Sequence, residues 1–433
     1  MNNKKRIAIT GIGPITSIGI GRESFWKKLI QGKANVKSEE VCLDDELWDK
    51  FYLHKVDDFD ISGFGIDKGK LDWIRDWKDG DEVRDLSYLI ASVKLAIDDS
   101  KLEYDPHKCA DYGLVVTHEN MSLIPFLTKV SDRAFRMLKD DQQNITKKEF
   151  HEKLYKDCLK SGYDVQTFMT LFHLAKVFNV RQHSLFICNA CASGLYAIET
   201  ASEMIKNGHN STVIVTASDC PDIYKYIWFR DLGIYSKDGI IKPFSKESNG
   251  LTFGDAGIAL VVEELEHARK RNAPIYAEYM GGGFSLEGWQ VTVPQVGSDS
   301  YHNAIIKAFE VSGVNRNNIE LLCPHGVGSH IIDYYESKAI TAIFGKNPKS
   351  PLITTFKPYV GHTLGASALL EAAILLLSLK NEMILPTLNS DNTNPAYGIS
   401  LVKEMAKKKL NTVMKICAAF AGYNAASIFR RVE

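Results

Sequence analysis

The chain has 433 residues, 45% of them hydrophobic and 24% charged, with a formal net charge of −1. This is an ordinary globular composition with length for a large core, and length alone gives about two to three domains or two fused halves. The balanced charge, with no long basic run, gives no argument for nucleic acid. The longest apolar run, Ala372–Leu377, falls far short of the ~18 residues of a membrane span. No secretory hydrophobic region follows the basic start Met1–Arg6. The eight cysteines lack framework spacing and read as free thiols in a reducing, cytoplasmic setting.

Taken in order, Arg6–Thr10 reads as a short strand that runs into a Gly-rich loop, Gly11–Gly19. A dinucleotide fingerprint would need its third glycine at Thr16, and Pro14 removes a donor, so the loop argues against NAD. Glu23–Gln31 reads as a helix closed by Gly32, and residues 36–82 as an irregular surface excursion. Asp85–Ser100 is an amphipathic helix, Tyr112–Thr117 a strand, 123–165 charged helix-like sequence, and Phe168–Phe178 a helix. After a strand at Thr212–Ala217, a Gly-punctuated loop from Pro243 leads to a strand at Ile258–Glu264. A second half begins near Pro274 and repeats the grammar. It has strands at Ile275–Tyr279, Ile319–Cys323 and Leu352–Thr355, with helices at Ser300–Ser312 and Ile332–Phe344.

Within this frame, Ser184–Ile187 is an apolar strand-like run that leads to Cys188-Asn189-Ala190-Cys191-Ala192-Ser193-Gly194. Beyond Cys191, apolar residues at Leu195, Ile198, Met204 and Ile205 have helical spacing, with a stop at Lys206 and Gly208. Cys191 therefore lies where a strand turns into a helix. Unpaired N–H groups and the helix dipole favour a thiolate there, which suits a nucleophile. Two other readings fit the same residues. One is a buried structural cysteine. The other is a redox or zinc pair, Cys188 with Cys191, although zinc would need a second ligand pair and the sequence has no second Cys-x-x-Cys.

The second half holds a parallel. His362-Thr363-Leu364-Gly365 opens an Ala- and Leu-rich helix, as Cys191-Ala192-Ser193-Gly194 does in the first. Both stretches read reactive residue, two residues, glycine, then a buried helix, a faint internal repeat. It predicts two similar α/β halves about a pseudo-two-fold, with two helix N-termini facing one cavity. His325, flanked by Pro324 and Gly326 after a strand, is the third candidate. One cysteine and two histidines suit a thiolate that accepts an acyl group and two imidazoles that stabilise the enolate of a second thioester. That chemistry needs no metal, flavin or pyridoxal.

From Arg6 almost to the C-terminus, several motifs occur in a fixed order. They are Ile9-Thr10-Gly11-Ile12-Gly13, Ala190-Cys191-Ala192-Ser193-Gly194 and Pro243-Phe244-Ser245-Lys246 through Gly250. Next come His325-Gly326-Val327-Gly328-Ser329 with Asp333 and Glu336 in register. The last are Lys357, Gly361, His362, Gly365 and Ala366 with Glu371, then Ala419-Phe420-Ala421-Gly422-Tyr423-Asn424. In these the chain resembles the elongating β-ketoacyl-[acyl-carrier-protein] synthases of the thiolase superfamily. The resemblance implies a five-layered αβαβα fold of two similar halves. Residues 1–265 would carry the nucleophile, with an insertion at about 123–165, and 266–433 the two histidines. It further implies acylation of Cys191 and malonyl decarboxylation driven by His325 and His362. Lys357 would tune the surroundings of His325, and Glu371 would order the network. The N–H groups of Cys191 and Phe420 would form an oxyanion hole, with Phe420 gating the acyl pocket. The partners it implies are an acyl carrier protein, whose phosphopantetheine carries the substrates with no further cofactor, and a second ketosynthase chain in a homodimer or heterodimer.

Thr292 and Ser329 match pantetheine contacts, while Val327 stands where the family has a hydroxyl. Ala419 and Ala421 replace glycines beside Phe420, which stiffens the gate. Asp76–Glu82 is acidic where the family is usually basic. The segment His118-Glu119-Asn120-Met121 replaces a Gly-rich acyl-pocket stretch. With His118, Asn120, Met121 and Phe420 lining that pocket, a short, unsaturated or oxygenated primer is expected rather than a long saturated chain. Two other functions belong beside the decarboxylating condensing enzyme. A non-catalytic chain-length partner subunit would typically lack Cys191. A thiolase would carry a second cysteine in a Gly-rich motif, and here Ala418-Ala419 follow Cys417.

Overall fold

The computed structural model describes residues 5–43, 46–78, 83–118, 123–140, 145–349 and 351–432. Continuous apolar runs form its central strands, as befits strands covered on both faces. Ile7–Thr16, Gly113–Thr117 and Thr212–Asp219 are buried along their whole length. From the middle outward, the N-terminal half runs Ile7–Thr16, Ala256–Glu264, Thr212–Asp219, Gly113–Thr117, Leu185–Ile187. The C-terminal half runs Ala277–Leu286, Tyr423–Arg430, Thr412–Ala418, Leu321–Cys323, Leu352–Ile353. In each half the first two pairings are antiparallel and the next two parallel. The faint repeat in the sequence is thus a full topological repeat.

Two helices lie between the sheets. Ser193–Lys206, behind Cys191, packs on Thr212–Asp219 and Gly113–Thr117 and reaches Ala277–Leu286 and Tyr423–Arg430 on the other side. Ser367–Asn381, behind His362, packs on Thr412–Ala418, Ala256–Glu264 and the helix Ser193–Lys206. Arg84–Ser100 covers the outer face of the first sheet and Ser300–Ser312 that of the second, which completes the five layers. The sheets are not separate, however. Ile7, Ala8 and Ile9 pair with Tyr279, Glu278 and Ala277 and join them along one edge. The stretch Leu364–Asn381 is long and apolar enough to cross a membrane, yet 89% of it is buried, because a helix apolar all round belongs in the core of a large protein.

The structure departs from the sequence reading in two places. The first strand continues to Thr16, through Gly11 and Gly13, because Arg84–Ser100 lies so close that a Cβ at either glycine would strike the carbonyl of Ala96 or Ser92. The glycines serve helix–strand packing rather than a loop. Residues 36–82, expected to be irregular, contain the hairpin Lys37–Leu43 with Glu46–His54, whose second strand pairs with Phe253–Gly254. Burial of Phe51 and Leu53 holds it there, and the helix Lys68–Trp77 follows, capped by Asp67. The stretch 123–165, read as helix-like, does hold two helices, Leu123–Asp140 and Lys147–Asp164, packed around Met137, Leu154 and Cys158. A capping box of Thr146 and Glu149 starts the second.

The two central helices cross at their N-termini. A Cβ on Gly194 would lie 2.5 Å from both the backbone N and the Cβ of Leu369. No side chain fits there without parting the helices. Gly194→Ala is expected to cost about 1–3 kcal/mol, the usual penalty of overpacking a close-packed core. Urea unfolding should show this as a lower midpoint at unchanged slope.

Candidate active site

Leu185–Ile187 ends in a tight turn held by Ser193, whose Oγ donates to Ala190 O (2.6 Å) and accepts from Asn189 N–H (2.7 Å). Ala190 takes a left-handed φ of 49°. The turn delivers Cys191 to the foot of the helix Ser193–Lys206, where it is 4% exposed. Cys188, its neighbour in sequence, lies on the surface.

His362 arrives by the equivalent route in the second half. Its own N–H donates to Thr252 O (2.8 Å), and its carbonyl accepts from Gly254 N–H (3.1 Å). Its ring Nδ1 accepts from Leu364 N–H (3.0 Å), which leaves the neutral ring with its proton on Nε2. His325 follows the strand Leu321–Cys323. Glu336 holds that loop by accepting the N–H groups of His325 (2.6 Å) and Gly326 (2.8 Å) and the hydroxyl of Tyr301 (2.7 Å). The two imidazoles meet edge to face, 5.2 Å between centroids. One ligand atom each of Cys191, His325 and His362 lies within 4.8 Å of the other two. All three side chains line one cleft with Phe229, Thr292, Ser329 and Phe420.

Beneath the histidines is a charged core. Lys357 Nζ and Lys415 Nζ each lie 2.6 Å from one oxygen of Glu371, and all three side chains are at most 1% exposed. Burial pushes both imidazoles well below the ordinary histidine value, and the two lysine charges push the same way, so His325 and His362 are neutral at physiological pH. Cys417 Sγ lies 3.3 Å from His325 Nδ1. Burial pushes its thiol up to about 12, so it keeps its proton, with His325 Nδ1 and the Cys191 carbonyl (3.5 Å) as the acceptors in reach. Sequence reasoning missed Lys415. The available signal was a lone charge at an inward position of the apolar run Val413-Met414-Lys415-Ile416-Cys417.

Phe420 stacks on Phe229 at 5.2 Å and meets Trp228 edge-on. Beside it, Ala421 adopts a left-handed φ of 58°, and its N–H donates to Val291 O at 2.6 Å. Ala421 thus holds a conformation that favours glycine. His118 is placed differently from the expected pocket lining. It is buried against Asp85, with Nε2 3.0 Å from Oδ2, and is not among the residues around the Cys191 cleft. A buried imidazole with a carboxylate in reach turns to that charge. Asn120 and Met121 lie outside the described residues.

Sequence comparison agrees with this geometry. Residues 140–268 match the β-ketoacyl synthase N-terminal domain and 276–391 the β-ketoacyl synthase C-terminal domain, together more than half of the chain. The chain belongs to the β-ketoacyl synthase family, a family of acyltransferase-type enzymes. It is 26% identical to 3-oxoacyl-[acyl-carrier-protein] synthase 2 of Vibrio cholerae, over 99% of this chain and 100% of the relative. Among solved structures, the ishigamide ketosynthase/chain length factor superposes with a TM-score of 0.83 at 23% identity, covering 99% of this chain and 100% of the other. A type II polyketide ketosynthase in complex with its acyl-carrier protein and bound to the hexaketide superposes with 0.80 at 21% identity, over 99% and 100%.

The Asp85–His118 contact makes stability depend on pH. Burial opposes both charges. Even so, Asp85 raises the pKa of His118 and His118 lowers that of Asp85. The imidazolium contributes fully below its unfolded value of about 6.5 and is lost as pH rises through the raised folded value. The carboxylate contributes above about 3.9 and is lost as pH falls through the lowered one. His118→Ala should cost about 3 kcal/mol between these limits, and the gap to wild type in urea unfolding should narrow on either side.

Proposed function

We propose that this protein condenses a Cys191-bound acyl group with malonyl-acyl-carrier-protein, releasing CO₂ and giving a 3-oxoacyl-carrier product in fatty-acid or polyketide synthesis. The observation that carries the reading is the convergence of the Cys191 thiol and two neutral imidazoles within 4.8 Å in one cleft. Cys191 sulfur attacks the carbonyl of an acyl-carrier thioester. The carbonyl electrons move to oxygen, are held by the N–H groups of Cys191 and Phe420, and return as the carrier thiol leaves with a proton. The malonyl thioester enters next, its pantetheine arm beside Thr292 and Ser329. Its thioester oxygen accepts hydrogen bonds from the Nε2–H groups of His325 and His362. The bond to the carboxyl carbon breaks, CO₂ departs, and the electron pair becomes the enolate. The enolate carbon attacks the acyl-cysteine carbonyl, and the C–S bond breaks to return the thiolate.

Neutral imidazoles suit the decarboxylation. A cationic ring would bind the malonate carboxylate in the ground state and oppose its loss, whereas N–H donors act on charge that develops in the transition state. The thiol and the imidazoles supply this chemistry without a further cofactor. Carrier protein and a second ketosynthase-type chain are the partners this reading gives, in line with the two solved neighbours. The presence of Cys191, His325 and His362 in contact favours catalysis over a chain-length partner role, and the paired histidines favour a synthase over a thiolase.

The test separates the two half-reactions. His325→Ala and His362→Ala should each lower CO₂ release from malonyl-carrier by about a hundredfold or more, the scale of a lost oxyanion donor. Acylation of Cys191 by an acyl-carrier should survive in part. Decarboxylation near the wild-type rate in both variants would contradict the mechanism.

A further inference from the structure

We infer that Lys415 is a positioning residue of this reaction, a second buried cation that fixes the His325 loop and keeps both imidazoles in their neutral, donating form. The inference deepens the condensing-enzyme reading and rests on it.

Its geometry is specific. Lys415 lies in the middle of Thr412–Ala418, paired in parallel with Cys323 on one side and antiparallel with Ser427 on the other. Val413 and Cys417 share its face and belong to the central core, while Met414 and Ile416 point to the outer one. The side chain is fully buried and makes two polar contacts. Nζ donates to Pro324 O at 2.9 Å, one residue before His325, and pairs with Glu371 at 2.6 Å. Glu336 grips the same loop from the other side, through the N–H groups of His325 and Gly326. The segment 324–326 is therefore held at one carbonyl and two amides by groups that reach it from the strand Thr412–Ala418 and the helix His330–Phe344.

Charge gives the second half of the argument. Glu371 is one carboxylate shared by two ammonium groups. Lys357 alone would neutralise it, so Lys415 leaves the cluster with one surplus positive charge beneath the cleft. Burial opposes the Lys415 charge, but the Glu371 carboxylate at 2.6 Å offsets it and the amine stays protonated. Both lysine charges push the two imidazoles the same way. Cys323 and Cys417 are thiols, each pushed up to about 12. Glu336 is raised by burial and spends its oxygens on Tyr301 and the loop amides. Asp219 is paired with Lys225 and accepts Gly365 N–H. Cys191 faces the histidines from the cleft, and His54 bonds to the backbone of Tyr359 instead. A surplus cation disfavours imidazolium in both rings. Protonation of His362 would also cost the Leu364 N–H bond to Nδ1.

The prediction concerns the acid side of the pH profile. CO₂ release from malonyl-carrier by wild type should stay level from about pH 8 to pH 5.5, because the histidines titrate well below their ordinary value of about 6.5. Lys415→Met removes the charge and the tether. Lys415→Gln removes the charge and keeps a donor for Pro324 O. In both, the acid limb should move up by about one pH unit or more, and Lys415→Met should also lose rate on the plateau. A purely structural lysine would lower the unfolding midpoint and leave the limb in place. Folded variants whose profiles overlay wild type would overturn the inference, as would a wild-type limb at the ordinary histidine value, a result that needs no variant to fold. Absence of CO₂ release from wild type at every pH would overturn the condensing-enzyme reading itself.

Discussion

The structure depends on one close approach. Gly194 and Leu369 meet where the helices Ser193–Lys206 and Ser367–Asn381 cross, and a single methyl group at Gly194 would part them. Each helix follows the outermost strand of its half, Leu185–Ile187 or Leu352–Ile353. The halves carry the same strand order, so the crossing brings the start of each helix to one point. Cys191 and His362 are the side chains delivered there. Neither half holds a complete site, and the site exists because two copies of one topology face each other. The join between Ile7–Ile9 and Ala277–Tyr279 fixes the halves at the far edge, and the central core closes the space between them.

Burial then decides the chemistry. His325, His362, Lys357, Lys415 and Glu371 are all 3% exposed or less. An isolated charge is costly at such a depth, so the carboxylate is paired twice and the imidazoles stay neutral. Leu364 N–H sets the tautomer of His362, and a protonated Cys417 thiol lies 3.3 Å from Nδ1 of His325. Both rings can therefore aim an Nε2–H at the cleft, where charge forms only during reaction. The charged core acts through field and position, while the groups that touch substrate are neutral donors and one thiol.

Much of this was legible in the chain. The strand-to-helix turn at Cys191, the matching turn at His362 and the similar halves all follow from local patterns of apolar spacing and glycine. Lys357 and Glu371 follow from the family motif. Lys415 was not legible from a motif, because its meaning lies in a pairing with Glu371 across 44 positions of sequence, and only its inward register within an apolar strand marks it. The role of Glu336 was likewise hidden, since its partners are backbone N–H groups, which a sequence does not print. The glycines of the first strand were misread as a loop because the helix that needs them begins some seventy residues later. His118 was read by alignment with a pocket-lining stretch, and Asp85, over thirty positions away, redirects it. In each case a contact distant in sequence overrode a sound local rule.

The central claim is that the helix crossing presents one reactive thiol. It is tested most directly by incubating the protein with acyl-carrier thioesters of different lengths, then measuring intact mass and mapping the acylated peptide. The account predicts one acyl group per chain, on Cys191, with Cys188→Ala still acylated and Cys191→Ala not. An acyl group on Cys188, or acylation that persists in Cys191→Ala, would contradict it.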